Sequence, residues 1–118
     1  MAKDDYFVIV GKILSFLYAR LKSKTDKDIS YLQPNTPDFP INQQYFETII
    51  INMYEEGLIT GVNTVKAWGG DIINIGLKED LRITHKGIEY IINNRKIFNS
   101  LKNAPYVGWL AELFDMEK

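Results

Sequence analysis

Apolar positions recur at helical spacing through the first part of the chain. Residues 3–24 read "KDDYFVIVGKILSFLYARLKSK" and predict one long helix, buried on most of its circumference. The apolar stripe consists of Tyr6, Val10, Ile13, Leu14, Leu17 and Leu21. Asp4 is suited to cap the start of this helix. Gly11 costs the helix about 1 kcal/mol relative to alanine. We attribute Gly11 to the close approach of a neighbouring element.

An irregular connection separates this helix from a second one. Three prolines exclude a long regular element over 33–40, whereas 28–32 allows one turn of helix or a short strand. The second helix is predicted over 43–56, with Asn42 as its N-cap and Gly57 at its end. Its inward stripe consists of Phe46, Ile49, Ile50 and Met53.

The pattern then changes to strands. Residues 58–65 and 72–76 predict the two arms of a hairpin, and the tip lies at 66–71, where "AWGGD" supplies paired glycines for a tight turn. After a turn at "LKED", residues 81–83 extend the second strand.

The remainder of the chain is predicted to be helical. Thr84 is a natural N-cap for the segment "HKGIEYIINN", in which one face is formed by Gly87, Ile88, Ile91 and Ile92. The last segment, 95–118, has apolar spacing but contains Pro105, which kinks it or begins a new helix. Its apolar positions are Ile97, Leu101, Tyr106, Trp109, Leu110 and Leu113.

Helix, irregular segment, helix, hairpin, helix is the order of a winged helix, a helix-turn-helix variant whose wing is a two-stranded hairpin. We predict an α+β fold of this kind over 1–118 as a single domain, with 95–118 as a C-terminal helical extension. The proline-rich segment occupies the position where such folds place a short helix.

Three phrases carry a resemblance to a known family. "DDYFVIVGKIL", "YEEGLITGV" and "LRITHKGIEYIINN" follow one another in an order that resembles the YjcQ family. These are small winged-helix proteins of Gram-positive bacteria and their phages. The resemblance implies a winged-helix fold over nearly the whole chain. It implies DNA binding only by analogy with that fold, because the molecular role of the family is poorly defined.

Composition narrows the possible functions. The chain of 118 residues has no cysteine and one histidine, so cysteine-based zinc sites and disulfides are excluded, and we expect no metal and no cofactor. It lacks a phosphate-binding glycine loop and a nucleophile motif, and we expect it not to be an enzyme. No apolar run is long enough to span a membrane, and "DD" precedes the first apolar segment, unlike a signal peptide. We expect a cytoplasmic protein without a membrane partner.

The leading hypothesis is a DNA-binding or transcription-regulatory protein, in which the second helix enters the major groove of double-stranded DNA. Gln43, Gln44 and Thr48 are candidates for contacts with base edges. The candidates for the wing and its base are Lys66, Trp68, Arg82 and Lys86. The basic segment "ARLKSKTDK" is a further source of phosphate contacts, although the sequence does not show whether it lies beside the helix.

The alternative hypothesis is a protein–protein interaction or homodimerisation module without DNA affinity. The net charge of -1 gives no basic excess, and the second helix has no Lys or Arg but three glutamates. Ile51 on its outer face and the C-terminal Tyr106, Trp109 and Leu113 are the interface candidates. The C-terminal residues are also typical of a helix that closes the core against the first one. We expect His85 to be an exposed residue at a helix start.

Overall fold

The computed structural model describes residues 4–66 and 72–101, without the side chains of 4, 5, 64–66, 72–79 and 100. The elements are α1 (Asp4–Leu21), a 3-10 helix (Ile29–Tyr31), α2 (Gln43–Glu55), β1 (Ile59–Lys66), β2 (Ile72–Ile83), α3 (His85–Asn93) and α4 (Arg95–Ser100). The two strands form an antiparallel sheet. This order confirms the predicted α+β class and the arrangement of a winged helix with a further helix after it.

The helix α1 is the centre of the core. Ile13, Leu14 and Phe16 are fully buried on it, and the small residues Gly11, Ser15 and Ala19 are buried as well. A Cβ on Gly11 would lie 2.8 Å from the Leu101 side chain at the end of α4. The predicted close approach at Gly11 is therefore confirmed, and α4 is the element that approaches.

Contacts between aromatic rings hold the connection between α1 and α2, where winged helices usually have a short helix. The connection contains only the single 3-10 turn, whose start is capped by the Asp28 side chain. Phe16 of α1 contacts the Tyr31 ring at 4.7 Å between centroids, Tyr31 contacts Phe39 at 5.5 Å, and Phe39 contacts Phe46 of α2 at 5.8 Å. This chain of rings fixes α2 against α1 although the prolines exclude a regular helix.

The ends of α2 follow local rules. Asn42 Oδ1 accepts a hydrogen bond of 2.8 Å from the backbone N–H of Tyr45, as expected for an N-cap. Gly57 has a φ of 81°, the left-handed conformation that glycine adopts most easily after a helix. The predicted inward stripe of Phe46, Ile49, Ile50 and Met53 is buried.

The second strand differs from its prediction. β2 is one strand through "LKED", so the predicted turn at that place is wrong. Thr60 pairs with Arg82 but Val62 pairs with Leu77, so residues 78–81 lie opposite Gly61 alone. Gly61 has a φ of 89°, and a Cβ there would lie 2.7 Å from the Asp80 carbonyl oxygen. The "LKED" signal thus marks a bulge within the strand.

The helices α3 and α4 close the core from the other side. Thr84 caps α3 by accepting a hydrogen bond of 3.0 Å from the Gly87 N–H. On the predicted apolar face of α3, Ile91 is fully buried, whereas Ile88 and Ile92 are only half-buried. Asn94 separates the two helices, and its side chain donates to the Tyr90 carbonyl oxygen.

Candidate nucleic-acid interface

The first two turns of α2 present three polar side chains to solvent. Gln43, Gln44 and Thr48 are exposed, while the opposite face of the helix is held in the core. Gln43 Nε2 donates to Glu47 Oε2 at 2.9 Å, and Thr48 Oγ1 donates to the Gln44 carbonyl oxygen at 3.0 Å. The side-chain amide of Gln44 can both donate and accept hydrogen bonds, as a contact with adenine requires.

The charge on this face is negative. Glu47 is half-buried beside Gln43, and Glu55 is exposed at the C-terminal end of the helix. No Lys or Arg lies on α2, so any phosphate contacts near it must come from other elements.

Lys66 is the last paired residue of β1 before the tip of the hairpin, where its backbone pairs with Ile72. The hairpin therefore brings Lys66 to the border of the predicted wing tip. The Lys66 side chain and Trp68 lie outside the described residues.

Lys86 lies at the far end of α2 from the three polar residues. The Lys86 Cδ lies 3.5 Å from the place that a Cβ would take if Gly57 had a side chain. Lys86 also lines a surface depression together with Glu56 and Glu89. The rise of α2 from Gln43 to Gly57 is about 20 Å. The structure therefore does not bring Lys86 together with Gln43 and Gln44.

Arg82 has a basic neighbour that the sequence did not indicate. Its exposed side chain and that of Arg20, near the end of α1, line the same depression. The sequence identified the basic segment around Arg20 and the base of the hairpin as separate groups. Arg20 and Arg82 come together because α1 packs against β2. A contact between such distant residues leaves no signal in the local sequence.

Polar side chains of α1, α2 and α3 lie near one another at the end of α2. Asn52 donates a hydrogen bond of 3.1 Å to the Tyr6 hydroxyl. Burial raises the pKa of the Tyr90 hydroxyl, and the nearby Glu56 carboxylate adds to this rise because two negative charges repel. The Asn52–Tyr6 hydrogen bond therefore joins the end of α2 to the start of α1.

His85 is exposed, as the sequence predicts, with 90% of its side chain accessible. Its Nε2 lies 3.3 Å from Glu89 Oε1, one turn further along α3. An exposed pair of this kind contributes little to stability. Within the described ranges, no three His, Cys, Asp or Glu side chains are grouped to hold a metal ion.

The candidate interface for protein association is described only in part. Ile51 is half-buried on α2, and Tyr54 beside it has 36% of its surface exposed. Tyr106, Trp109 and Leu113 lie outside the described residues. Among the helices of the described part, none is long and apolar enough to cross a membrane.

The element order, the hairpin after α2 and the exposed polar turns of that helix define a protein of the winged-helix type. A comparison with protein-family models matches residues 12–105 to the family described as YjcQ protein. Since this match covers most of the chain, the protein belongs to the YjcQ family. No curated protein and no solved structure matches the chain.

Proposed function

We propose that the protein is a non-enzymatic winged-helix protein that binds double-stranded DNA, with a role in transcription regulation. The first turns of α2 enter the major groove, and the hairpin contacts the backbone beside it. The observation that supports this proposal is the exposed set of Gln43, Gln44 and Thr48 on a helix whose other face is anchored in the core. We also propose that the protein is cytoplasmic, and that it is related to phage proteins as the resemblance to the YjcQ family implies.

Each side chain has a distinct part in this mechanism. Gln44 offers an amide that is free to pair with an adenine edge. Gln43 is oriented by its hydrogen bond to Glu47, whose carboxylate can accept from the amino group of cytosine. Lys66, at the last pair before the tip, supplies positive charge to the phosphates. The glutamates at the end of α2 lie away from this contact.

The test is the affinity for a mixed-sequence DNA duplex, measured by fluorescence anisotropy at two salt concentrations. Binding through phosphates predicts an affinity that falls steeply with salt. Lys66→Ala should weaken binding and lower the slope of log K against log salt by about 1. Lys96→Ala, which removes an exposed lysine of α4, is the matched control. It should leave the affinity and the salt slope unchanged. The absence of binding by the wild type at low salt rejects DNA binding.

A second candidate function is association with a protein or with a second copy of the chain. It is favoured by Ile51 and Tyr54 on an α2 surface without cations, because aromatic and apolar residues with few lysines are typical of protein interfaces. In this case Tyr106, Trp109 and Leu113 would form the centre of a two-fold dimer. Light scattering of the wild type and of Trp109→Ala separates the cases. A dimer predicts different masses, and a monomeric wild type at high concentration excludes it.

A further inference from the structure

Two arginines from distant parts of the chain meet at the root of the hairpin. Arg20, near the end of α1, and Arg82 of β2 line one depression, whose other residues are Leu17, Leu21, Asp80 and Leu81. The Arg20 Nη1 donates to the Lys27 carbonyl oxygen at 3.2 Å, which steadies its side chain. The structure thus places two arginines in the lining of one small depression.

The bulge opposite Gly61 builds this surface. The backbone at Asp80 and Leu81 approaches Gly61 so closely that a Cβ there would lie 2.7 Å from both residues. The extra residues on β2 bury the Leu81 side chain and leave that of Arg82 exposed. Bulges commonly re-aim a side chain in this way, and they occur frequently beside functional sites.

The surface has a positive net charge in a chain that is slightly negative. Residues 20–28 and 80–82 carry five basic and three acidic side chains, a net charge of +2, whereas the whole chain carries -1. The basic residues are Arg20, Lys22, Lys24, Lys27 and Arg82. One of the acids, Asp28, interacts electrostatically with Arg20. The Asp28 carboxylate also accepts hydrogen bonds from the hydroxyl and the backbone N–H of Ser30. Lys86, by contrast, shares its depression with two glutamates.

The chain of aromatic rings relates this surface to α2. Phe16 and Phe46 are its two ends, and each of its three contacts spans less than 6 Å between ring centroids. Arg20 lies one turn beyond Phe16 on α1, and Gln43 lies one turn before Phe46 on α2. The ring contacts therefore join the two helices that carry Arg20 and Gln43.

We infer that Arg20 and Arg82 together bind the phosphodiester backbone of the duplex whose groove α2 enters. This inference rests on the proposed function. The planar guanidinium donates two parallel hydrogen bonds to a phosphate, so a pair of arginines fixes the register of the backbone. A linear polyanion fits better than an acidic peptide with an apolar anchor, because the depression is only about 190 Å³ and open, and exposed lysines continue the charge beyond it.

The experiment measures the slope of log K against log salt for a mixed-sequence duplex. Each of Arg20→Gln and Arg82→Gln should reduce the magnitude of the slope by about 1, and the double variant by about 2. Lys96→Gln, which also removes one exposed positive charge, should leave it unchanged. Thermal unfolding of every variant identifies any loss of fold. If Arg20→Gln does not fold, the slope measured for Arg82→Gln decides the test.

The outcomes separate the inference from the proposed function. A wild type that does not bind the duplex rejects the proposed function and the inference with it. A wild type that binds while both arginine variants keep its slope overturns the inference alone. Binding of polyglutamate that is lost in the double variant, with the DNA slope unchanged, assigns the pair to an acidic protein partner and likewise overturns it.

Discussion

The Thr84 hydroxyl donates a hydrogen bond of 2.5 Å to the carbonyl oxygen of Gly57, so the residue that starts α3 also holds the residue that ends α2. The Thr84 hydroxyl oxygen also accepts a hydrogen bond from the Gly87 N–H, and the Thr84 N–H donates to the Leu58 carbonyl oxygen at 3.1 Å. Three hydrogen bonds at one residue therefore join the helix that is proposed to enter the groove, the root of the hairpin and α3.

Replacing Thr84 by alanine removes both side-chain hydrogen bonds of this joint. We expect Thr84→Ala to lower the free energy of unfolding by about 2 kcal/mol, since a lost N-cap costs roughly 1 kcal/mol and a lost hydrogen bond a similar amount. Thr84→Ser keeps the hydroxyl and should recover most of this loss. Urea denaturation measures both variants. Equal stability of the alanine and serine variants would show that the hydroxyl does not hold the joint.

Two helical glycines should respond differently to alanine. A Cβ on Gly87 would collide with the Leu58 carbonyl oxygen and lie 2.6 Å from the Ile83 side chain. The nearest atom to a Cβ on Gly11 would be at the movable end of the Leu101 side chain, 2.8 Å away, and the next two are at ordinary contact distances. We expect Gly87→Ala to destabilise the protein by at least about 2 kcal/mol.

Gly11→Ala is the matched control. It should change the free energy of unfolding by less than about 1 kcal/mol, because the gain in helix propensity offsets part of the repacking. Thermal unfolding of the two variants provides the comparison. A Gly87→Ala variant as stable as Gly11→Ala would mean that α3 does not pack directly on the backbone at Leu58.

The bulge depends on glycine more strongly than the end of α2 does. Both Gly61 and Gly57 have positive φ, but only Gly61 has backbone atoms within 2.7 Å of a Cβ position, whereas the nearest atom to Gly57 is the Lys86 Cδ at 3.5 Å. We expect Gly57→Ala to cost about 1 kcal/mol and Gly61→Ala clearly more. Chemical denaturation tests the ranking. The reverse order would contradict the register in which Thr60 pairs with Arg82.

The raised pKa of Tyr90 predicts a pH dependence in alkaline solution. The ordinary pKa of 10.0 applies to the unfolded chain, and the pKa in the folded protein is higher. Between these two values the folded state binds more protons, so stability declines as the pH rises above about 10. Tyr90→Phe removes this contribution. The loss of stability between pH 9 and pH 11, measured by denaturation, should be smaller in Tyr90→Phe than in the wild type; equal losses would show that burial of this hydroxyl has no effect.

The helix boundaries could be predicted because their signals are local. Asn42 and Thr84 cap their helices with their own side chains, and Gly57 ends α2 by its own backbone conformation. Each signal lies within a few residues of the boundary that it marks. The apolar stripe of α2 was equally readable, because a helix repeats its faces every 3.6 residues.

The continuous strand and the joined arginines could not be predicted, since both depend on contacts between distant residues. The path of β2 through "LKED" is set by Gly61 on the other strand. The meeting of Arg20 with Arg82 follows from the packing of α1 on β2. The distance between Lys86 and Gln43 could not be predicted from the sequence either. It depends on the length of α2 and on the direction in which the chain leaves that helix at Gly57.

The most direct measurement of DNA binding through α2 is a nuclear magnetic resonance titration of the isotopically labelled protein with a mixed-sequence duplex. Binding through the groove predicts changes in the amide chemical shifts of Gln43, Gln44 and Thr48, and of the hairpin up to Lys66, with α4 unchanged. If the duplex leaves the shifts of residues 43–48 unchanged at low salt, α2 does not contact DNA and the proposed function is wrong.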